Sequence, residues 1–230
     1  MKANRKTARL AGFYYLLVVV FSVIYMEYIP SEIVVWNNPE ETLQNLISFE
    51  FLFRVGIAIG ILVHLSFILL PLTLYKLLNH INKHYALLMV VFALISVPVS
   101  YTLLLDQFDI LELIKSYDSS SIMETKEIST KVMSIFNRFH NGFFLSQVFW
   151  GLWLFPFGYL VFKSGFLPRT LGVFLMLGCI TYLIDVFGGT LLTNYYDYIN
   201  TRILIIPAAI GEIGICFWLL IIGVKENIKF

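Results

Sequence analysis

The sequence predicts an all-α, polytopic membrane protein that forms a single bundle of six transmembrane helices. Hydrophobic residues make up 59% of the 230 residues and charged residues only 13%, whereas about a quarter of a soluble domain is charged. The mean hydropathy is +0.81. The apolar residues are concentrated in six long runs separated by polar segments, and this combination is typical of integral membrane proteins.

Each apolar run is long enough to cross a bilayer as a helix, because a transmembrane helix needs about 20 mostly apolar residues. A barrel strand would instead show about ten residues of alternating hydropathy. The first run follows basic residues as in a signal peptide, but it is too long and no cleavage motif follows, so we predict that it is retained. The predicted spans are residues 10–29, 53–77, 85–105, 141–162, 168–191 and 203–224.

The Lys and Arg residues predict the orientation, since cytoplasmic loops carry an excess of basic residues. With the N-terminus inside, ten of the 16 basic residues lie in cytoplasmic segments. These are Lys2, Arg5, Lys6, Arg9, Lys76, Lys83, Lys163, Arg169, Lys225 and Lys229. An even number of spans returns the C-terminus to the cytoplasm, so both termini are predicted to be cytoplasmic.

The first outer loop is predicted to contain a short amphipathic helix on the outer surface. Asn38 is a capping residue, Pro39 stands in the first turn, and Glu40 and Glu41 follow, which are signals of a helix N-terminus. The apolar residues near one face are Leu43, Leu46, Ile47 and Leu52.

The second long outer loop is predicted to contain a turn and then a helix. Three consecutive serines, Ser119–Ser121, predict the turn. Residues 124–139 predict a helical extension that leads into the fourth span.

Several classes of function leave no signal in the sequence. The net charge of +1 gives no basic surface for nucleic acid. Cys179 and Cys216 lie inside apolar runs and are interpreted as small buried hydrophobic residues. No nucleotide-binding, hydrolase or zinc-protease motif is present. We therefore predict no cofactor, no bound metal and no identifiable catalytic residue.

Short motifs along the chain resemble those of one known family. They are ARLAG from Ala8, LFRVG from Leu52, HNG from His140, FWG from Phe149, GYL from Gly158, SGFLPRTLG from Ser164, YLID from Tyr182 and PAAIGE from Pro207. Together they resemble the bacterial membrane-protein family known as domain of unknown function 4386, over almost the whole chain. Residues 116–130 depart from the family pattern. The resemblance implies a protein of the bacterial cytoplasmic membrane without an assigned activity, and it implies no catalytic residues.

The most specific motif, SGFLPRTLG, is also explained as a cytoplasmic anchor between the fourth and fifth spans. Lys163 and Arg169 are placed where their charged ends can reach lipid headgroups. Pro168 stands at a helix start, where its missing N–H has no cost.

Four ionisable residues lie at membrane depth, where such groups are costly and mark candidate functional sites. They are His64, His140, Asp185 and Glu212. Glu212 is nine residues into the last span, about 13 Å deep, and His64 lies at a similar depth. Small residues are predicted to place these groups against protein rather than lipid. The predicted helix-packing glycines are Gly56, Gly60, Gly178 and Gly211.

Two interpretations of these polar residues stay open. The first is a cavity that opens outward, with Glu212 and His64 at its floor. Its predicted lining is His64, His140, Gln147, Asp185 and Glu212, and its outer rim is Glu27, Arg54, Asp106 and Arg138. The second is that each residue is satisfied separately. Glu212 and His64 would then bond across helices, and Asp185 would pair with a rim arginine.

Three classes of function follow. The favoured one is a structural, assembly or regulatory protein of the lipid bilayer, whose buried polar residues lock helix packing. An alternative is outward-facing binding or transport of a small polar or lipid-like solute through Glu212, Asp185, His64 and His140. A second alternative is an intramembrane, metal-assisted enzyme using the same residues as ligands. A homo-oligomer or a protein partner is compatible with each class, whereas a nucleic-acid partner is not expected.

Overall fold

The computed structural model describes residues 4–117 and 122–224, and every regular element in these ranges is a helix. The predicted turn at Ser119–Ser121 lies outside the described residues, as do the basic residues Lys2, Lys225 and Lys229. The all-helical prediction is confirmed.

The first span is part of a longer helix than predicted. Helix α1 covers Arg5–Val23, continues through a π-helical segment at Ile24–Tyr28, and passes directly into α2, Ile29–Ile33. Helix α3 then covers Pro39–Ser48. The Asn38 side chain accepts a hydrogen bond from the Glu41 backbone N–H at 3.2 Å, which satisfies one free donor of the first turn.

Four long helices follow. They are α4 at Glu50–Leu78, α5 at Lys83–Ser116, α6 at Ile122–Lys163 and α7 at Arg169–Leu191. Helix α6 has 42 residues, so the predicted extension and the fourth span are one continuous helix. Helices α4, α5 and α6 each contain a proline, which membrane helices tolerate because neighbouring groups satisfy the freed backbone carbonyl.

The last apolar run is interrupted and shorter than predicted. Two short helices, α8 at Tyr195–Tyr198 and α9 at Thr201–Leu204, precede α10 at Ile206–Phe217. A π-helical segment at Trp218–Ile222 extends α10. Among the described residues, five helices are long and apolar enough to cross a membrane, and Ile206–Ile222 is a shorter apolar helix. Several long apolar helices fit a multi-pass membrane protein, whereas the sixth span stays a prediction.

The chain divides into two compact units. The first consists of Met1–Val18, Ser66–Val97 and Leu145–Phe230, and the second of Val19–Leu65 and Pro98–Phe144. Four helices, α1, α4, α5 and α6, contribute residues to both units. The prediction of a single domain stays a prediction.

The first unit is built on close backbone contacts and an aromatic core. An added Cβ at Gly178 on α7 would lie 2.9 Å from the Ala208 Cα on α10. Small residues at such positions let membrane helices approach closely. The Trp153 and Phe157 rings stack with centroids 5.3 Å apart, and both side chains are fully buried.

The second unit has its own apolar core. Leu43 and Leu46 of α3 are fully buried in it, together with Phe53 of α4, while Ile47 is 37% exposed. The helix α3 therefore has one buried face and one exposed face. On α4, an added Cβ at Gly60 would lie 2.8 Å from the Tyr25 ring, so this glycine makes room for a large aromatic side chain.

Candidate functional site: a carboxylate between two tyrosines

Glu212 accepts hydrogen bonds from tyrosines on two other helices. The Tyr15 hydroxyl donates to Glu212 Oε2 at 3.1 Å, and the Tyr182 hydroxyl donates to Oε1 at 3.5 Å. Glu212 lies on α10, Tyr15 on α1 and Tyr182 on α7. One side chain therefore joins three helices of the first unit, and we call these three residues the Glu212 clamp.

Glycines position the backbones that carry the clamp. An added Cβ at Gly12, one turn before Tyr15 on α1, would collide with the backbone of Leu220. An added Cβ at Gly211, next to Glu212, would lie 2.8 Å from the Leu175 backbone nitrogen on α7. Because both contacts are with backbone atoms, they fix the distances between helices and bring the carboxylate within reach of both hydroxyls.

The Tyr15 end of the clamp is enclosed by aromatic side chains. The Tyr15 ring lies 6.0 Å from the Trp153 ring and 6.4 Å from the Phe157 ring. All three side chains are at most 1% exposed. A hydroxyl in such apolar surroundings needs a protein partner, since an unpaired buried polar group is costly. The Glu212 carboxylate is that partner.

The clamp can exist in two protonation states. An ionised carboxylate has only acceptors and takes both tyrosine hydrogen bonds, while a protonated one still accepts and also has one proton to donate. Glu212 therefore links the three helices by hydrogen bonds in either state. Its carboxyl group can also carry a proton.

A second polar feature lies near the end of α7. Asp185 Oδ1 is buried without a hydrogen-bond partner among the described residues, and the same holds for the Tyr195 hydroxyl. The Tyr195 ring packs against Gly188, one turn along α7 from Asp185. Burial raises the pKa of the Tyr195 hydroxyl, and the negative charge of Asp185 raises it further.

The predicted rim residues include two arginines that already have carboxylate partners. Arg54 pairs with Glu50 on its own helix at 2.6 Å. Arg138 binds Asp106 through two contacts, Nε to Oδ2 at 2.9 Å and Nη2 to Oδ1 at 2.6 Å. Both rim arginines are therefore engaged by carboxylates of the second unit, and the pairing of Asp185 with a rim arginine stays a prediction.

The two histidines make different contacts in the second unit. His64 Nδ1 hydrogen-bonds the Gly60 carbonyl one turn earlier, and since a carbonyl only accepts, the proton is on Nδ1. The sequence led us to expect a hydrogen bond from His64 to another helix. The bond that the structure shows is instead within α4, to a carbonyl one turn earlier. The His64 ring lies 5.3 Å from Tyr101, and the His140 ring lies 5.4 Å from Trp36.

The other predicted residues are placed as follows. Gln147 is partly buried in the first unit, with Asp185 and Glu212, whereas His64 and His140 belong to the second. Glu27 is exposed. Within the first unit, Glu212 bonds to two tyrosines while Asp185 Oδ1 has no described partner, so the two carboxylates have different surroundings.

The predicted anchor forms the connection between α6 and α7. Lys163 ends α6, Pro168 precedes the first residue of α7, and the Arg169 guanidinium lies 5.9 Å from the centre of the Phe162 ring. Gly165 has φ +74°, a left-handed conformation that favours glycine. The reversal of the chain at this point therefore depends on Gly165.

The family model described as a domain of unknown function, DUF4386, matches residues 10–223. The chain belongs to this family. The resemblance drawn from the short motifs is thus confirmed. An uncharacterized protein of Archaeoglobus fulgidus is 32% identical over 85 residues, 35% of this chain and 46% of that protein. The match spans about half of the relative's length. No solved structure matches this chain.

The metal-assisted alternative lacks a ligand set in the described part of this DUF4386 chain. No three His, Cys, Asp or Glu side chains in that part lie close enough together to hold a metal ion. The two histidines and two carboxylates considered from the sequence do not form such a group.

Sequence reasoning missed two of the tyrosines. Tyr15 is one turn from Gly12, and both are buried on α1. The sequence signal that could have identified Tyr15 is its position beside the small residues of this helix face. Tyr195 lies after α7 in a segment without periodicity. Nothing in the sequence places its hydroxyl near Asp185.

Proposed function

We propose that this DUF4386 protein is a six-span integral membrane protein with a structural, assembly or regulatory role, in which the Glu212 clamp locks three helices into one arrangement. The observation that carries the proposal is that both carboxylate oxygens of Glu212 are engaged by tyrosine hydroxyls of other helices. A carboxyl group used in this way serves its own protein and leaves no oxygen without a partner.

The proposed topology has both termini in the cytoplasm of a bacterial cell. Ile206–Ile222 alone is short for a span, because its 12-residue helix and five-residue π-helical segment reach about 25 Å against a hydrocarbon core of about 30 Å. The apolar residues of α9, Ile203 and Leu204, extend the run towards Arg202. Lys163 and Arg169 then anchor the inner connection.

The clamp contributes specificity more than stability. Interhelical hydrogen bonds in membranes are worth about 0.6 kcal/mol each, so two of them supply about 1 kcal/mol. This is small beside the whole stability of a domain, about 5–15 kcal/mol. It is enough to favour one register of α1, α7 and α10 over others.

The first test is thermal unfolding of Glu212 variants in lipid nanodiscs. Glu212→Ala removes both acceptors, leaves the buried Tyr15 hydroxyl unpaired, and is expected to lower Tm by at least about 2–4 °C, the shift of about 1 kcal/mol for a chain of this size. Glu212→Gln keeps one acceptor and is expected to lower Tm by less. Glu32→Ala is the matched control, since Glu32 is an exposed helical glutamate, and is expected to leave Tm unchanged.

A cellular assay separates this role from catalysis or transport. Glu212→Gln is expected to restore every growth phenotype that the wild-type gene restores in a deletion strain. Loss of the phenotype with normal expression of Glu212→Gln would show that the carboxylate does chemistry or binds a solute. An unchanged Tm for Glu212→Ala would contradict the lock itself.

A second candidate function is binding of a small polar or lipid-like solute. The observation that favours it is separate from the clamp: the buried Asp185 Oδ1 and the Tyr195 hydroxyl have no partner in the ranges the structure describes. Buried polar groups are nearly always hydrogen-bonded, so each of these atoms is expected to have a partner beyond the described residues.

A further inference from the structure

Two polar atoms near the end of α7 are buried and unsatisfied. Asp185 Oδ1 and the Tyr195 hydroxyl are each shielded from solvent and have no hydrogen-bond partner among the described residues. Tyr195 as a whole is only 5% exposed. An unpaired buried hydroxyl or carboxylate oxygen costs about 1–3 kcal/mol or more, so two such atoms near the end of one helix indicate that a partner binds there.

Local packing places the two atoms on one face of α7. Gly188 and Asp185 are separated by three residues and so share a helix face, and the Tyr195 ring lies directly against Gly188, where no Cβ would fit. The charge of Asp185 also acts on the neighbouring tyrosine: burial raises the pKa of the Tyr196 hydroxyl, and Asp185 raises it further. The carboxylate and both tyrosines therefore form one group, the Asp185 site.

The Asp185 site lies at the level of an aromatic, water-accessible end of the bundle. Asp185 is six residues before the end of α7 at Leu191, which is about 9 Å along the helix. Tyr196 and Tyr198 just beyond are 57% and 83% exposed. Exposed tyrosines at the end of an apolar helix are typical of the membrane–water interface. The Asp185 site therefore lies close to the end of α7, beside tyrosines that are exposed.

The side chains define the chemistry of that ligand. Asp185 offers a negative acceptor, the Tyr195 hydroxyl offers a neutral acceptor or donor, and aromatic faces attract cations. The Tyr195 and Tyr196 rings meet edge to face at 5.1 Å and 77°, which gives a fixed aromatic wall. Within the described ranges Asp185 belongs to no group of three His, Cys, Asp or Glu side chains that could hold a metal ion. A compact organic cation with several N–H donors satisfies all of these groups.

We propose that Asp185, Tyr195 and Tyr196 bind the ammonium group of a primary amine, supplied either by a free amine in solution or by the headgroup of phosphatidylethanolamine. The ammonium donates one hydrogen bond to Asp185 Oδ1 and one to the Tyr195 oxygen, and its charge faces the tyrosine rings. This proposal names the ligand class of the second candidate function and rests on it. It does not depend on the Glu212 clamp, which uses different residues.

The test measures Tm of the full chain in nanodiscs of phosphatidylglycerol, a lipid without an ammonium group. In one arm, ethylamine hydrochloride is added, with sodium chloride at the same concentration as reference. In the other, phosphatidylethanolamine replaces part of the phosphatidylglycerol. Ligand at tenfold excess over its Kd is expected to raise Tm by about 4 °C. A rise with ethylamine assigns a free amine, and a rise only with phosphatidylethanolamine assigns the headgroup.

Matched variants locate the effect. Asp185→Asn keeps the shape of the side chain, removes its charge, and is expected to abolish the rise. Asp197→Asn makes the same change at an exposed position and is expected to keep it. Tyr195→Phe removes only the hydroxyl and is expected to weaken binding about tenfold, the effect of losing one hydrogen bond to a charged group, whereas Tyr198→Phe is expected to have no effect.

The remaining outcomes would overturn the proposal. No rise in either arm means that water alone satisfies Asp185 and Tyr195. An equal rise with sodium chloride, or an equal response of Asp185→Asn, means that the amine does not bind at this site. If Asp185→Asn fails to fold, the proposal is tested by comparing the rise in Tm of Tyr195→Phe with that of Tyr198→Phe. Equal rises for these two variants would contradict it. The clamp variants leave all of these results unchanged, so failure here and failure of the lock are distinguishable.

Discussion

Glu212 holds its two tyrosines unequally. The Tyr15 hydroxyl lies 3.1 Å from the carboxylate and the Tyr182 hydroxyl 3.5 Å, and hydrogen bonds weaken towards the longer distance. Tyr15 is also 1% exposed, whereas Tyr182 is partly exposed. At the scale of single residues, the clamp therefore depends mainly on the bond between Tyr15 and Glu212.

This difference predicts that Tyr15→Phe is more destabilising than Tyr182→Phe. Each change removes one hydroxyl and keeps the ring. We expect Tyr15→Phe to lower Tm by about 2 °C and Tyr182→Phe by less than half of that, because only the first removes a bond of ordinary length. Tyr198→Phe, at a side chain 83% exposed, is the control. Equal losses at positions 15 and 182 would contradict the unequal clamp.

The sequence was sufficient to select Glu212 but not its partners. A glutamate in an apolar run stands out because charge at that depth is costly. Tyr15 is 197 residues away along the chain, and its proximity depends on how α1 packs on α10. That packing is fixed by backbone contacts such as Gly12 with Leu220, and one sequence does not reveal which glycine meets which backbone.

At the scale of helices, the glycines differ in what lies opposite them. An added Cβ at Gly12 would collide with the backbone of Leu220, whereas one at Gly56 would lie 3.1 Å from the end of the Ile29 side chain. A backbone cannot move without separating two helices, but an isoleucine side chain can rotate. Gly12 is therefore a fixed contact, and Gly56 an adjustable one.

We predict that Gly12→Ala is strongly destabilising and Gly56→Ala is not. Overpacking against backbone is expected to cost Gly12→Ala about 1–3 kcal/mol. At Gly56 the better helix propensity of alanine, about 1 kcal/mol, offsets the small clash. Tm of the two variants in nanodiscs checks this. A lower Tm for Gly56→Ala than for Gly12→Ala would show that the backbone contact does not hold α1 in place.

Helix positions were predictable from hydropathy, whereas helix ends were not. The predicted first span, 10–29, lies inside a continuous helix from Arg5 to Ile33. The predicted third span, 85–105, lies inside α5, which ends at Ser116. Hydropathy reports how much of a helix fits the hydrocarbon core, and it carries no information on helical turns that continue beyond the core.

At the scale of the whole molecule, the number of spans decides where the C-terminus lies. Five helices in the described ranges qualify by length and composition, and Ile206–Ile222 is shorter. With six spans the two termini are on the same side of the membrane, and with five they are on opposite sides. The excess of basic residues in the predicted inner segments favours six.

Protease protection of epitope tags tests this topology. Tags at both termini are expected to be protected in spheroplasts, and a tag inserted after Asn37, in the first predicted outer loop, is expected to be cleaved. Lysis of the spheroplasts, which exposes every tag, is the control. Cleavage of the C-terminal tag in intact spheroplasts would show that Ile206–Ile222 does not cross.

The most direct test of the central claim, that Glu212 locks helices through its tyrosines, is a double-mutant cycle of Tyr15→Phe and Glu212→Met measured by the free energy of unfolding. Methionine keeps the length of the side chain without a strong acceptor. We predict that Tyr15→Phe costs about 0.6 kcal/mol in the wild type and is neutral or stabilising in the Glu212→Met background, because it then removes a buried hydroxyl that has lost its acceptor. An equal cost in both backgrounds would mean that the two side chains do not interact, and it would contradict the lock.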